Sequence, residues 1–422
     1  MMNEVDIAII GGGASGLVSA ISAKRENPKA RVAVLEHSSR VGKKILATGN
    51  GRCNLTNINC RSQYYHSSSN KTVESILSRY DSRFIMDFFA QMGMLYKIDN
   101  EGRVYPYSEQ ASAVLDILRA ELQHLNIEEI CDFSISSIKK QKGKFIIQSE
   151  NHTLSSKEII VATGGKASPS LGSDGSGYKY LKDFGHTMTN VFPALVQVTV
   201  TDNITHSLKG VRANCTVCLV ADKNVMRTET GEIQFSENAL SGICIFQLSR
   251  MVSEFCCTKS IFGQKYKNLS INVDLLPQHT YAEVFNLIKS KIDFNRDLLL
   301  ENLFVGMLNK KVGQALIKIC GISQSKKVSD LSKMDINNLV SIIKCWKFSP
   351  NGTMPWKNAQ VTAGGIRCDE FDINTLESKK SSGLFAAGEV LDVDGDCGGF
   401  NLQWAWSSGY IAGKSAAKKL KS

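Results

Sequence analysis

The stretch Asp6-Ile7-Ala8-Ile9-Ile10-Gly11-Gly12-Gly13-Ala14-Ser15-Gly16-Leu17-Val18-Ser19-Ala20 decides the fold. An apolar run passes without a break into a glycine turn and then into a helical pattern, and Gly11, Gly13 and Gly16 stand in GxGxxG spacing. The first glycine of such a turn permits the sharp strand-to-helix reversal, the second lets a pyrophosphate approach the backbone, and the third lets helix pack on strand. The free N–H groups and positive dipole end of the helix favour an anion there. A second strand, Arg31-Val32-Ala33-Val34-Leu35-Glu36, ends in an acid twenty residues after Gly16, where a carboxylate accepts ribose hydroxyls. The pattern predicts dinucleotide binding by Gly11, Gly13, Ala14, Ser15 and Gly16, with Glu36 and His37 at the adenosine end.

With 422 residues the chain exceeds one ordinary core and can enclose a large cofactor. Apolar residues make up 43% and charged residues 21%, ordinary globular usage without a bilayer-length apolar run, so no membrane association is expected. No secretory pattern precedes the first strand, which predicts a cytoplasmic location and reduced thiols for the twelve cysteines. Cys215 and Cys218 form a CxxC inside an alternating run, where positions three apart point to opposite faces; buried thiols are expected there, and no metal site. The formal charge of +10 suits an anionic cofactor and would suit RNA. The lysines are dispersed and no RNA-binding fingerprint is present, so a nucleic-acid partner is not the expected one.

After the opening unit, Gly42 to Asn57 is too irregular for helix or strand and reads as an ordered binding loop; Lys43, Lys44, Thr48, Gly49, Asn50, Gly51, Arg52, Cys53 and Asn54 belong to it. Residues 73–92 and 109–124 have helical spacing, and 127–162 reads as a small antiparallel meander. The meander ends in Glu158-Ile159-Ile160-Val161-Ala162-Thr163-Gly164-Gly165, a buried-strand pattern whose glycine end, with Thr163 and Gly164, is expected to approach the dinucleotide. A second such pattern, Gly383-Leu384-Phe385-Ala386-Ala387-Gly388-Glu389, leads to a glycine turn and a helix from Asn401. Between the two lies a change of character. The expected architecture is α/β: a discontinuous cofactor domain, 1–194 with 350–422, interrupted by a substrate or cap region, 195–349, that is β-rich over 195–275 and helical over 280–345.

Three segments carry a resemblance. They are Ala47-Thr48-Gly49-Asn50-Gly51-Arg52-Cys53-Asn54-Leu55-Thr56-Asn57, Val361-Thr362-Ala363-Gly364-Gly365, and Gly388 to Gly395 with Gly398-Gly399-Phe400-Asn401-Leu402-Gln403-Trp404-Ala405-Trp406-Ser407-Ser408-Gly409. On these the chain resembles the HI0933-like, or aminoacetone-oxidase-like, FAD-binding flavoprotein family, which includes the bile-acid flavoprotein reductase. The resemblance implies FAD, a Rossmann-like FAD-binding domain of glutathione-reductase type, and an inserted β-barrel-like plus helical region. It also implies that Gly388 and Glu389 meet the ribitol, with Asp394 in the following loop. Gly398, Gly399, Phe400, Asn401 and Leu402 would open the last helix toward the flavin, where a positive dipole end favours the charge gained on reduction. The Thr-His pair and Ser-Gly-Pro that many relatives carry are incomplete in Gly231 to Ile243, which lacks the His and the Pro, so no relative's substrate transfers automatically.

The expected activity is an FAD-dependent oxidoreductase moving hydride between flavin and a small organic substrate, such as reduction of an enone of dehydro-bile-acid type with NAD(P)H as a transient donor. An oxygen-using amine oxidase and an FAD-containing RNA-modifying protein are the alternatives. Gly172 to Gly177 has the wrong spacing for a second nucleotide fingerprint, so no separate NAD(P)H domain is expected. For proton transfer the candidates are Arg103, Tyr105, Tyr107 and His186, with Lys209 beside them. Oligomeric state is not encoded in any pattern found.

Overall fold

The opening apolar run forms β1 (Asn3–Ile10), and its lack of alternation follows from position, since Ile7, Ala8 and Ile9 are shielded on both faces. The computed structural model describes residues 3–150 and 152–421. Around β1 lies a parallel sheet built from β2 (Val32–Leu35), β3 (Glu128–Ile130), β6 (Thr153–Val161) and β7 (Leu384–Ala386), in the order β3-β2-β1-β6-β7. Ile9 pairs with Val34 on one side and Ile160 on the other, and Ile160 pairs in turn with Phe385. A strand from the far end of the chain thus completes the sheet begun by the first.

The hairpin of β4 (Ile135–Gln141) and β5 (Lys144–Ser149) is not a separate meander. It pairs antiparallel with the first half of β6, Ser156 opposite Phe145, while the second half of β6 pairs with β7. One nine-residue strand serves both partners. The helical stretch read over 73–92 is two helices, Asn70–Arg79 and Ser82–Ala90, because Asp81 accepts a hydrogen bond from the Phe84 N–H and starts a new helix.

Two long helices cross over this sheet, α1 (Ala14–Glu26) and α2 (Phe400–Lys419). Their backbones touch: a Cβ on Gly409 or Gly413 would collide with the carbonyl oxygens of Ser15 and Ser19, and Ser19 Oγ donates to the Gly409 carbonyl at 2.9 Å. Neither helix is apolar enough to span a bilayer, and no described helix is.

The chain divides into two compact units, one of residues up to 192 together with those from 360 onward, the other of residues 193–359. The joints expected at 194/195 and 349/350 therefore move, the second by ten residues, because Pro350–Thr353 is a strand of the second unit's sheet. That sheet is antiparallel and ordered Trp346–Phe348, Leu269–Asp274, Arg212–Ala221, Asn224–Ser236, Ala239–Ser241, Val198–Val200, Pro350–Thr353. Its two outermost strands are joined by Ser349 alone. A flat seven-stranded sheet spans roughly 28 Å between its edges, far beyond one residue's reach, so the sheet curls until its ends meet. The β-rich part of this unit also holds a sixteen-residue helix, Ile243–Thr258, a correction to the strand reading of 195–275. Its buried Ile245, Leu248, Val252 and Phe255 repeat at helical spacing.

Candidate functional site

A cleft opens at the carboxyl ends of β1, β2 and β6, where ligands bind in open parallel sheets. It holds about 840 Å3 of empty space, its mouth included. Gly11 makes the turn into it at φ +105°, a value that suits glycine, and Gly16 sits so close to the Gly11 carbonyl that no side chain would fit. The α1 N-terminus faces the cleft without any capping side chain and without an acid in its first turn, leaving its first N–H groups free for a ligand. A Cβ on Gly13 would meet nothing within 4 Å, so the backbone there is open to close approach. Glu36 is set by the turn it serves. Its Oε2 accepts from the Gly12 N–H at 2.9 Å and its Oε1 from the Ser38 N–H at 2.8 Å, with His37 Nδ1 at 3.4 Å.

Cations follow along one wall. Arg40, Lys43 and Lys44 line the cleft, and Lys44 Nζ lies 2.9 Å from Glu389 Oε2 and 3.2 Å from the Ala167 carbonyl. The other Glu389 oxygen accepts from the Thr362 N–H at 2.6 Å. Thr163, Gly164, Gly172 and Ser173 also line the cleft, and Ile10, Leu35, Phe133 and Ile135 supply its apolar lining. Of the residues expected to hold a dinucleotide, Gly11, Gly13, Ala14, Ser15, Glu36, His37, Lys43, Lys44, Thr163, Gly164 and Glu389 thus share one cleft. Sequence reasoning missed Arg40, Phe133, Tyr180 and the Gly172 to Ser176 segment. The spacing of that segment is not that of a nucleotide fingerprint, yet Gly172, Ser173 and Ser176 line the same cleft.

Most of the remaining expected residues lie around a second free helix start. Gly399 precedes α2 at φ +103°, no side chain caps that helix, and its first turn holds no acid. The loop Thr48 to Asn57 is fastened beside it: Asn57 Nδ2 donates to the Gly398 carbonyl at 3.1 Å, Trp406 Nε1 donates to the Leu55 carbonyl at 2.8 Å, and Thr56 Oγ1 donates to Gln403. Within it Gly49, Asn50, Gly51 and Cys53 all have positive φ, and Thr48 Oγ1 donates to the Ile45 carbonyl at 2.6 Å. Arg52 lies over the Tyr105 ring. Asn54 Oδ1 is buried without a hydrogen-bond partner. Burial pushes the Cys53 thiol up to about 12 against a hydrogen bond with Thr48, so it is inert at neutral pH. Asn401 braces the preceding loop, accepting from the Gly395 N–H and donating to its carbonyl, both at 2.8 Å. Phe400 stacks on Tyr64 at 4.8 Å, Asp394 Oδ1 accepts from the Gly364 N–H at 3.4 Å, and Leu402 is half-buried on the first turn of α2. Gly388 packs against Ser15, and its N–H donates to Ser408 Oγ at 2.9 Å.

The proton-transfer candidates part company. Arg103 is paired with Asp99 at 2.7 Å and Glu101 at 3.0 Å, Tyr105 is buried beside it, and Tyr107 is exposed. His186 lies outside both helix starts, fully buried. Its Nδ1 meets Glu370 at 2.8 Å, its Nε2 meets Ser378 Oγ at 2.8 Å, and its ring stacks on Phe371 at 4.4 Å. Ser378 Oγ also accepts from the Lys380 and Ser381 N–H groups at 3.0 Å, so this Ser-His-Glu line is a satisfied core network. Lys209, in the second unit, pairs with Glu237 at 2.9 Å.

Two uncapped helix starts, an acid at the end of β2 and a cleft with apolar lining suit a long dinucleotide, and the sequence profile described as "HI0933-like protein Rossmann domain" matches residues 5–415. The chain belongs to the HI0933-like family. Among curated relatives this HI0933-like chain is 37% identical over 413 residues, 98% of its length and 99% of the relative's, to a 3-dehydro-bile acid delta(4,6)-reductase of Clostridium scindens. It is 30% identical over 417 residues, 97% of its length and 98% of the relative's, to a ribosomal RNA dihydrouridine synthase of Haemophilus influenzae. Among solved structures it is similar to a 3-ketosteroid delta1-dehydrogenase from Sterolibacterium denitrificans, with TM-score 0.51, 12% identity and coverage of 99% of this chain and 100% of that one. That likeness is one of fold, the FAD-binding α/β architecture.

Proposed function

We propose that this protein, an FAD-dependent oxidoreductase, saturates a carbon–carbon double bond conjugated to a carbonyl in a small organic substrate, an enone of dehydro-bile-acid type, with NAD(P)H as donor. The observation that carries the reading is the 37% identity, along 98% of the chain, to a reductase named for such a substrate. The dihydrouridine synthases point the same way chemically, since dihydrouridine is uridine with its carbonyl-conjugated double bond saturated. FAD, when bound, supplies two-electron hydride chemistry. The chain's own part is to hold it. Glu36 and the start of α1 suit the adenosine and pyrophosphate, and the start of α2 offers N–H groups and a positive dipole end where negative charge develops.

A second reading, reduction of uridine in ribosomal RNA, is favoured by the +10 charge together with the 30% relative. Anaerobic spectroscopy of the purified protein separates them. Bleaching by NADH or NADPH, followed by recolouring with a 3-oxo-4-ene steroid, is the expected result. Recolouring by an unmodified rRNA transcript alone selects the second reading. In a parallel assay in air, hydrogen peroxide made from oxygen on addition of an aminoketone without nicotinamide would overturn both, as would a colourless protein that takes up no FAD.

A further inference from the structure

Tyr105 lies in the middle strand of a three-stranded antiparallel sheet, Arg103–Pro106 between Thr56–Asn57 and Tyr96–Ile98. The register sets Lys97 opposite Tyr105 and Asn57 opposite Arg103, so these four residues share a face. That face abuts the loop that opens α2: Asn57 holds the Gly398 carbonyl, and a Cβ on Gly398 would stand 3.9 Å from Arg103 Cδ. The tyrosine ring is clamped. The Arg52 guanidinium lies over it, 4.7 Å from its centroid, and only 3% of the residue's surface is exposed. Yet its hydroxyl is neither sealed off nor hydrogen-bonded to any described residue. A buried ring with an unengaged oxygen at its tip is a group held in one place with its proton uncommitted.

The charges around it suit a proton donor. Burial raises the phenol's pKa, so the proton stays on at neutral pH; Arg103 and Arg52, the latter 3.6 Å from Glu109, pull in the opposite sense and favour the phenolate once it forms, while Asp99 and Cys397 add to the upward shift. No other candidate combines these features: His186 has both ring nitrogens engaged in the core, Arg103 is paired with two acids, and Tyr107 stands in solvent.

We propose that Tyr105 is the proton donor of the reduction, giving its hydroxyl proton to the carbon next to the substrate's carbonyl. The inference rests on the double-bond reduction put forward above. In the balanced step the double bond's π pair, the Tyr105 O–H bond and the N–H bond of the reduced flavin that carries the hydride are broken, two C–H bonds form, one from that hydride at the far carbon and one from the tyrosine proton, and the flavin is left oxidised. The substrate gains two electrons from flavin reduced by a nicotinamide, and the phenolate recovers its proton from water.

The test uses the FAD-loaded enzyme reduced with dithionite in the absence of oxygen and then mixed with a 3-oxo-4-ene steroid. Tyr105→Phe is expected to keep its FAD content, visible spectrum and dithionite bleaching, and to reoxidise about 100-fold more slowly than wild type, within the range of general acid catalysis. Wild-type reoxidation should also slow in D2O. Arg52→Met provides an independent arm: without the overlying cation, the alkaline limb of the reoxidation rate should move to higher pH. Wild-type reoxidation speed in Tyr105→Phe, or an unmoved alkaline limb in Arg52→Met, overturns the role of Tyr105. A wild-type flavin that the steroid never reoxidises overturns the enone reading itself, a distinguishable failure.

Discussion

Gly13 separates binding from folding at a single atom. Its φ of −84° is open to alanine and an added methyl would meet nothing within 4 Å, so Gly13→Ala should leave the apoprotein's melting temperature within about 2 °C of wild type. The same methyl would stand where a pyrophosphate approaches, and FAD affinity, read from quenching of flavin fluorescence, should fall at least about tenfold, or roughly 1.4 kcal/mol. Glu370 carries a different consequence. Burial pushes its carboxyl upward, but Lys380, the Thr187 hydroxyl and N–H, and His186 outweigh that and hold it down at about 2. A carboxylate depressed in the folded state contributes stability in full above its unfolded pKa and loses it as pH falls from about 4.5 toward 2. Thermal melts of wild type should therefore drop across that window by on the order of 2–3 kcal/mol more than those of Glu370→Gln. Glu36 was legible in sequence because its distance from the glycine turn is fixed by the local fold. The core role of His186 was not, since Glu370 and Ser378 lie 184 and 192 residues away.

Elements tell a similar story about range. The first strand, turn and helix could be read because their periodicity is strong and local. The seam between α1 and α2 could not, because nothing in Gly409 and Gly413 names Ser15 and Ser19 as their neighbours. Gly409→Val should collide with the Ser15 carbonyl and cost about 3 kcal/mol or more, visible as a large fall in melting temperature and loss of bound FAD; a wild-type melt would refute the close crossing. The helix Ile243–Thr258 was hidden by its surroundings, strands on either side and cysteine-rich apolar composition, although its own spacing is helical. The Gly172 to Ser176 segment was missed for another reason. Its glycines supply a wall rather than a phosphate-binding turn, and a wall has no fixed spacing.

The described residues form two hydrophobic cores, one in each unit. The cleft is lined wholly by the first. FAD at a hundred times its dissociation constant should add about 2.7 kcal/mol to the first unit's opening energy and leave the slowest amides of residues 193–359 unchanged. Hydrogen exchange followed by mass spectrometry reads both at once. Equal protection of both units by FAD would mean that they unfold as one.

The crossing of α1 and α2 also sets an order of events at the ribosome. Residues 193–359 are contiguous and complete their own core without the stretch from residue 360 onward that the first unit still needs. The first unit has by then had its opening strand and helix for most of the synthesis time, without the strand Leu384–Ala386 or the helix that covers Ser15 and Ser19. Residues 3–192 are therefore made before residues 193–359 and packed after them, and a nascent chain that stops short of α2 leaves that surface uncovered for chaperones and proteases to find.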